Sequence, residues 1–108
     1  MIVQFKKGVL DLCVLALLLN KDCYGYEINE YMANHIEIAD GTIYPILRKL
    51  NKEGYLSTYL QESNSGAPRK YYSITSKGKE FYKTNKREWL SFIKQVKEIM
   101  KEGEKHDE

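Results

Sequence analysis

The residues from Asp40 to Leu50, DGTIYPILRKL, contain the tightest constraint in the sequence: a proline inside a stretch with helical spacing. A proline deep in a helix forfeits a backbone bond, whereas one in the first turn loses a donor that is unpaired anyway. The helix must therefore start just before Pro45, with Gly41 or Thr42 as its N-cap. At about 100° per residue from Ile43, Leu47 lies near 40°, Leu50 near 340° and Ile46 near 300°, which makes one apolar stripe. Thr42, Tyr44, Pro45, Arg48, Lys49 and Lys52 occupy the other side, offering two hydroxyls and three cations. The unpaired N–H groups and positive dipole end at the helix start also favour phosphate, so an anionic polymer suits this face.

The flanking chain supplies a context for that helix. Residues Phe5 to Asn20 read as a first helix, apolar nearly all round, which must be covered on several sides. Asn20 to Cys23 reads as a polar connection. A second helix spans Tyr24 to about Ala33, with Tyr24, Ile28, Tyr31 and Met32 on one face. After Leu50, Gly54 fits the left-handed position past a helix end. Residues 56–61 and 69–74 alternate as strands around the turn residues Asn64 to Pro68, a hairpin with a cationic tip. A helix, a turn, a second amphipathic helix and then a hairpin make a winged helix.

Thr75 can cap a last helix that runs to about Glu102, before a polar tail from Gly103 to Glu108. Phe81, Trp89, Phe92, Ile93, Val96, Ile99 and Met100 fall in one stripe about 120° wide. At about 40 Å the helix exceeds the diameter of so small a domain, so its far half overhangs and needs a partner; a two-fold homodimer is the commonest solution. The predicted fold class is mainly α with a small β-hairpin wing: a winged helix-turn-helix with a long C-terminal dimerisation helix. Residues 1–75 would form the DNA-binding domain, and residues 76–108 the dimerisation helix and polar tail.

Composition narrows the function classes. A chain of 108 residues with net charge +2 leaves no room for a separate catalytic module and carries no strong global attraction to nucleic acid. Between positions 40 and 80, however, Arg48, Lys49, Lys52, Arg69, Lys70, Lys77 and Lys79 outnumber Asp40, Glu53, Glu62 and Glu80. Cys13 sits in an apolar run and Cys23 in a turn, with no metal-ligand spacing; this favours a reducing compartment and implies neither metal nor cofactor. The run from Val9 to Leu19, broken by Asp11, is too short to cross a membrane, and the start lacks a signal peptide's order, so a cytoplasmic protein is expected. His35 and His106 are isolated from nucleophiles and carboxylates in local spacing, and phosphate-loop and dinucleotide motifs are missing; the chain does not read as an enzyme.

Three sets of residues carry a family resemblance: Gly25-Tyr26-Glu27-Ile28; Gly41 to Leu50 through Glu53-Gly54; and Gly66 with Arg69-Lys70-Tyr71-Tyr72 and Thr75 to Gly78. In this order and spacing they resemble the PadR family of bacterial transcription regulators, in its short form with one dimerising helix. The resemblance implies a dimeric repressor whose recognition helices enter successive major grooves of a pseudo-palindromic operator on double-stranded DNA, with wings on the flanking backbone. It also implies that Trp89 resembles a tryptophan that stacks on planar aromatic small molecules at the dimer interface of multidrug-sensing members. Read from its stripe alone, Trp89 is first a dimer-core aromatic, and Phe81, Phe92 and Ile93 are bulky enough to fill an inter-subunit pore.

The candidate DNA contacts are Thr42 and Tyr44 to phosphate, Pro45 beside them, Arg48 or Lys49 to a guanine edge, and Lys52. On the wing, Gly66 permits close backbone approach, and Arg69 and Lys70 suit phosphate or the minor groove. Tyr71 and Tyr72 point to opposite faces, so at least one packs inward. The competing reading is a winged helix serving as a protein-interaction or dimerisation module without its own DNA target, a role that would not need cations on both recognition face and wing.

Overall fold

The computed structural model describes residues 8–106. Helix α1 spans Val9–Asn20 and starts after Gly8, whose φ of 82° is left-handed backbone that glycine adopts without strain. Residues 5–7 of the expected first helix lie outside the described residues. Leu10, Val14, Leu15 and Leu18 of α1 are buried. Its all-round apolarity has a structural basis: α1 touches each of the other described helices and a strand of the sheet.

Helix α2, Gly25–His35, buries Ile28, Asn29 and Met32. Tyr24 and Tyr31 do not join that face as expected: Tyr24 is the extended N-cap residue before the helix, and Tyr31 is exposed, with its ring 4.2 Å from that of His35. The start of α2 is fixed by the Glu27 carboxylate, which accepts from the Tyr24 backbone N–H at 3.2 Å. Helix α3, Ile43–Lys52, buries Ile43, Leu47 and Leu50 as its periodicity requires. These three, with Val14, Leu15, Ile28, Met32 and Leu56, form the centre of the core.

The sheet has three strands, one more than the sequence suggested. Strand β1 is only Cys23–Tyr24, β2 is Leu56–Ser63, β3 is Gly66–Ile74, and the antiparallel order is β1-β3-β2. Cys23, expected in a polar turn, is a buried strand residue paired with Tyr72. Two residues are too few to show alternation, which hides such a strand from periodicity. The hairpin strands extend further toward the tip than the alternation implied, and Ala67 and Pro68 belong to β3 and not to the turn. Gly66, at φ 112°, makes the sharp return.

Helix α4, Ser76–Glu104, is 29 residues long. It runs two residues past its expected end, so Gly103 and Glu104 are helical and not tail. Thr75 caps it by accepting from the Gly78 backbone N–H at 3.0 Å. The same residue ties the helix start to the end of α3: its backbone N–H donates to the Tyr55 carbonyl at 3.1 Å, and its hydroxyl to the Gly54 carbonyl at 2.8 Å. The Lys77 ammonium adds a bond to the Glu53 carbonyl at 2.8 Å. Gly78 is buried in this junction, where a Cβ would run into the Tyr55 carbonyl.

Phe81 and Tyr82 pack on the core, but farther along α4 the stripe opens, with Trp89 36% and Ile99 72% exposed. The overall extents of 60 × 28 × 21 Å reflect this overhang. Among the described residues no helix is long and apolar enough to cross a membrane.

Candidate nucleic-acid interface

Helix α3 starts without a side-chain cap bond and is closed at its C-terminal end by its own backbone. Thr42 occupies the N-cap, and Pro45 lies in the first turn. At the other end the Tyr55 N–H donates to the Leu50 carbonyl at 3.0 Å and the Gly54 N–H to the Asn51 carbonyl at 3.1 Å. With Gly54 at φ 85°, this is a Schellman closure. The three buried apolar side chains then orient the helix, leaving Pro45, Arg48, Lys49 and Lys52 exposed and Thr42 and Tyr44 half-buried.

These six residues are not equivalent. The Thr42 hydroxyl donates to the Ala39 carbonyl at 2.7 Å, so its proton is used within the turn and is not offered to a phosphate as expected. The Tyr44 ring lies over Gly25, 3.4 Å from where a Cβ would stand, and leans on the core. That close approach gives a physical role to the glycine of the Gly25-Tyr26-Glu27-Ile28 motif. The Lys49 ammonium is engaged by Asp11 of α1 at 2.6 Å. Arg48 and Lys52, by contrast, have no hydrogen bond or ion pair among the described residues, and both stand exposed.

The wing cations separate by face. Tyr24, Tyr71 and Tyr59 are cross-strand neighbours with ring centroids 5.5 and 5.6 Å apart, on the face away from the helices. Arg69 belongs to this outer face, with its guanidinium 4.5 Å above the Tyr24 ring and 3.4 Å from the Ser65 hydroxyl. Lys70 lies on the inner face, its ammonium 5.9 Å from the Tyr72 ring.

Tyr72, which packs inward, is therefore where helix and wing meet. Burial pushes its phenol above its ordinary value, and the positive charge of Arg48 partly offsets this. The Tyr44 ring of α3 and the Tyr72 ring both stand against Gly25, so α3 meets the inner face of the wing, which carries Lys70, around Tyr72, whereas Arg69 lies on the opposite face. Leu60, directly opposite Lys70 and 70% exposed, completes the inner face of the wing; sequence reasoning missed it because an apolar residue in a strand looks like core. At the base of the outer face, Tyr59 donates to the Asp22 carboxylate at 2.8 Å; that bond holds its phenol above its ordinary value.

A second feature lies between α1 and the middle of α4. An open groove of about 330 Å³ is bounded by Gly8, Val9, Asp11 and Leu12 on one side and Phe81, Asn85, Glu88, Trp89 and Phe92 on the other. Of the expected stripe, Phe81, Trp89 and Phe92 reach this groove; Ile93 and Val96 are half-buried, and Ile99 and Met100 lie exposed. In the single chain the three bulky aromatics line the space and leave it open. Among the described residues no cluster of His, Cys, Asp and Glu is arranged to hold a metal.

Comparison with known proteins agrees with this geometry. Residues 14–84 match the model of the PadR-like family of transcriptional regulators. A protein of Lysinibacillus sphaericus, uncharacterised, is 35% identical over 101 residues, covering 90% of this chain and 92% of its own length. Among solved structures, a PadR-like transcriptional regulator from Bacillus cereus is 34% identical with a TM-score of 0.79, covering 90% of this chain and 96% of that one. A PadR family transcription regulator from Clostridium difficile is 37% identical with a TM-score of 0.71, covering 82% and 94%.

Proposed function

The chain belongs to the PadR-like family of transcriptional regulators, and we propose that it acts in the cytoplasm as a homodimeric, sequence-specific repressor on double-stranded DNA. The observation that carries this reading is the cationic surface of α3: Arg48 and Lys52 are exposed there without an ion-pair partner among the described residues, and Lys70 stands on the inner face of the wing. Arg48 is the base reader in this reading, because a guanidinium can bond the O6 and N7 of guanine together. Lys52 and Lys70 supply phosphate contacts, with the Gly66 backbone close to the sugar-phosphate chain.

Residues 1–75 provide the DNA-binding unit and residues 76–108 the dimerising unit. The open stripe of α4, from Trp89 to Met100, supports pairing with a second copy, since an exposed apolar row of this length otherwise stays wet. Two copies of α3 about 34 Å apart would read two half-sites one turn of DNA apart. The groove beside Trp89 takes a planar aromatic ligand whose binding alters that spacing and releases the operator. Its 330 Å³ and aromatic walls suit one such molecule.

Selection of bound fragments from random duplexes yields the operator. Arg48→Ala should then weaken operator binding by about 1–3 kcal/mol per half-site and relax the base preference at one position. Lys70→Ala should weaken operator and scrambled duplexes alike and reduce the salt slope. Fluorescence anisotropy with both duplexes measures this. Equal losses on both duplexes for Arg48→Ala would overturn its assignment as base reader, and no enrichment in the selection would favour a protein-interaction module.

A further inference from the structure

The groove and the recognition helix meet at one side chain. Asp11 lines the groove and also holds the Lys49 ammonium of α3 at 2.6 Å, although the two residues are 38 positions apart in sequence. Asp11 is only 8% exposed, so its charge is poorly served by water and depends on a cationic neighbour. Lys49 supplies that charge from outside the groove. Inside, Glu88 adds a second carboxylate beside Trp89, and among the described residues none that lines the groove is cationic. Aromatic faces next to two carboxylates are complementary to an organic cation with a flat apolar body.

We propose that Asp11 is a shared carboxylate, for which an organic monocation in the groove and the Lys49 ammonium compete. This rests on the reading of the groove as a ligand site and adds the charge of the ligand and its link to α3. With the groove empty, Lys49 is neutralised against the flank of α1 and α3 presents Arg48 and Lys52 as its free cations. With a cation on Asp11, Lys49 loses its partner and α3 gains one uncompensated positive charge. Groove and recognition surface are thereby linked through a single ion pair, a local change on α3 that acts against the release brought about by the altered spacing. Ile43, Leu47 and Leu50 keep α3 seated in either state.

The test needs no DNA. 1-Methylquinolinium is titrated calorimetrically into the full-length protein and into Lys49→Ala, Asp11→Asn and the double variant, with neutral quinoline at pH 8 as the uncharged counterpart. Thermal melts confirm that each variant is folded. Lys49 lies outside the groove, so a purely local site would be indifferent to its removal. Competition instead makes Lys49→Ala bind the cation about 2- to 5-fold more tightly, the range expected for release of a partly exposed ion pair. Asp11→Asn should bind it more weakly, the double variant should match Asp11→Asn, and quinoline should be unaffected by Lys49→Ala. Cation affinity in Lys49→Ala that is unchanged or lower than in the parent overturns the shared carboxylate and leaves the groove standing as a ligand site. Absence of binding to all four proteins overturns both.

Discussion

The junction at the start of α4 allows the same substitution in the same helix to be given opposite signs. At Gly78 a Cβ would meet the Tyr55 carbonyl oxygen and carbon, and would also approach Ile74 Cγ1 to 2.8 Å. Neither obstacle can swing aside, because the Tyr55 carbonyl already accepts the Thr75 N–H, and Ile74 sits in the sheet next to the core. The helix must therefore back away, giving up the bond between the Gly78 N–H and the Thr75 hydroxyl. Overpacking of this kind costs about 1–3 kcal/mol, and a lost cap adds about 1 kcal/mol. Against this, alanine gains up to about 1 kcal/mol over glycine from backbone entropy. Gly78→Ala should thus destabilise by about 1–3 kcal/mol, a fall in Tm of several to roughly 20 °C for a domain of this size. At Gly103, also within α4, nothing lies within 4 Å of the added methyl. Gly103→Ala should leave Tm unchanged or raise it slightly, since the helix end already frays. Differential scanning calorimetry at fixed protein concentration makes the comparison, because dimerisation would otherwise move Tm. A Gly78→Ala protein as stable as the parent would refute the claim that the helix is closely docked on Tyr55.

Ile99→Lys, at a site 72% exposed, should leave the fold intact but shift the protein toward monomer in analytical ultracentrifugation, with operator affinity falling in parallel; a variant that sediments like the parent would remove that end of the stripe from the dimer interface. Trp89 is the sole tryptophan, so its fluorescence should respond to saturation with planar aromatic compounds, and indifference across a varied panel would leave it a packing residue. Tyr59 and Tyr72 are both raised above 10.0 in the folded state, so each favours folding below that pH, and their contribution is lost as pH rises through the higher folded values. Stability should therefore fall above about pH 10, and Tyr72→Phe should flatten the decline in urea melts taken across that range; an unchanged slope would show that Tyr72 plays no part.

Helices α3 and α4 were legible because each repeats apolar residues over several turns, and Pro45, Gly54 and Thr75 mark their ends by rules that depend on backbone geometry alone. Strand β1 was not, since its pairing with Tyr71 and Tyr72 is a property of two segments distant in sequence. The same limit applied to the site. Helical angle placed Lys49 on the outer face, but only folding could bring Asp11 alongside it and separate it from Arg48 and Lys52. Alternation correctly sent Tyr71 and Tyr72 to opposite faces, yet Arg69 and Lys70 were read together as DNA contacts, and only the folded sheet separates them. Tyr31 misled because it has the right spacing but the wrong neighbours: at that angle no described element covers α2, and the Tyr31 ring stacks on His35 instead.

The bonds from Thr75 and Lys77 to Gly54, Tyr55 and Glu53 join the end of α3 to the start of α4. In the proposed dimer this junction makes α4 a lever, with its fulcrum among the paired stripes and the recognition helix at its tip. At about 1.5 Å per residue, Met100 at the end of the stripe lies about 36 Å from Ser76, so pivoting α4 there by about 5° carries α3 through about 3.1 Å. That travel is close to the rise of about 3.4 Å between successive base pairs along one strand. A tilt too small to disturb the packing at either end would therefore be enough to move the two readers out of register with their half-sites.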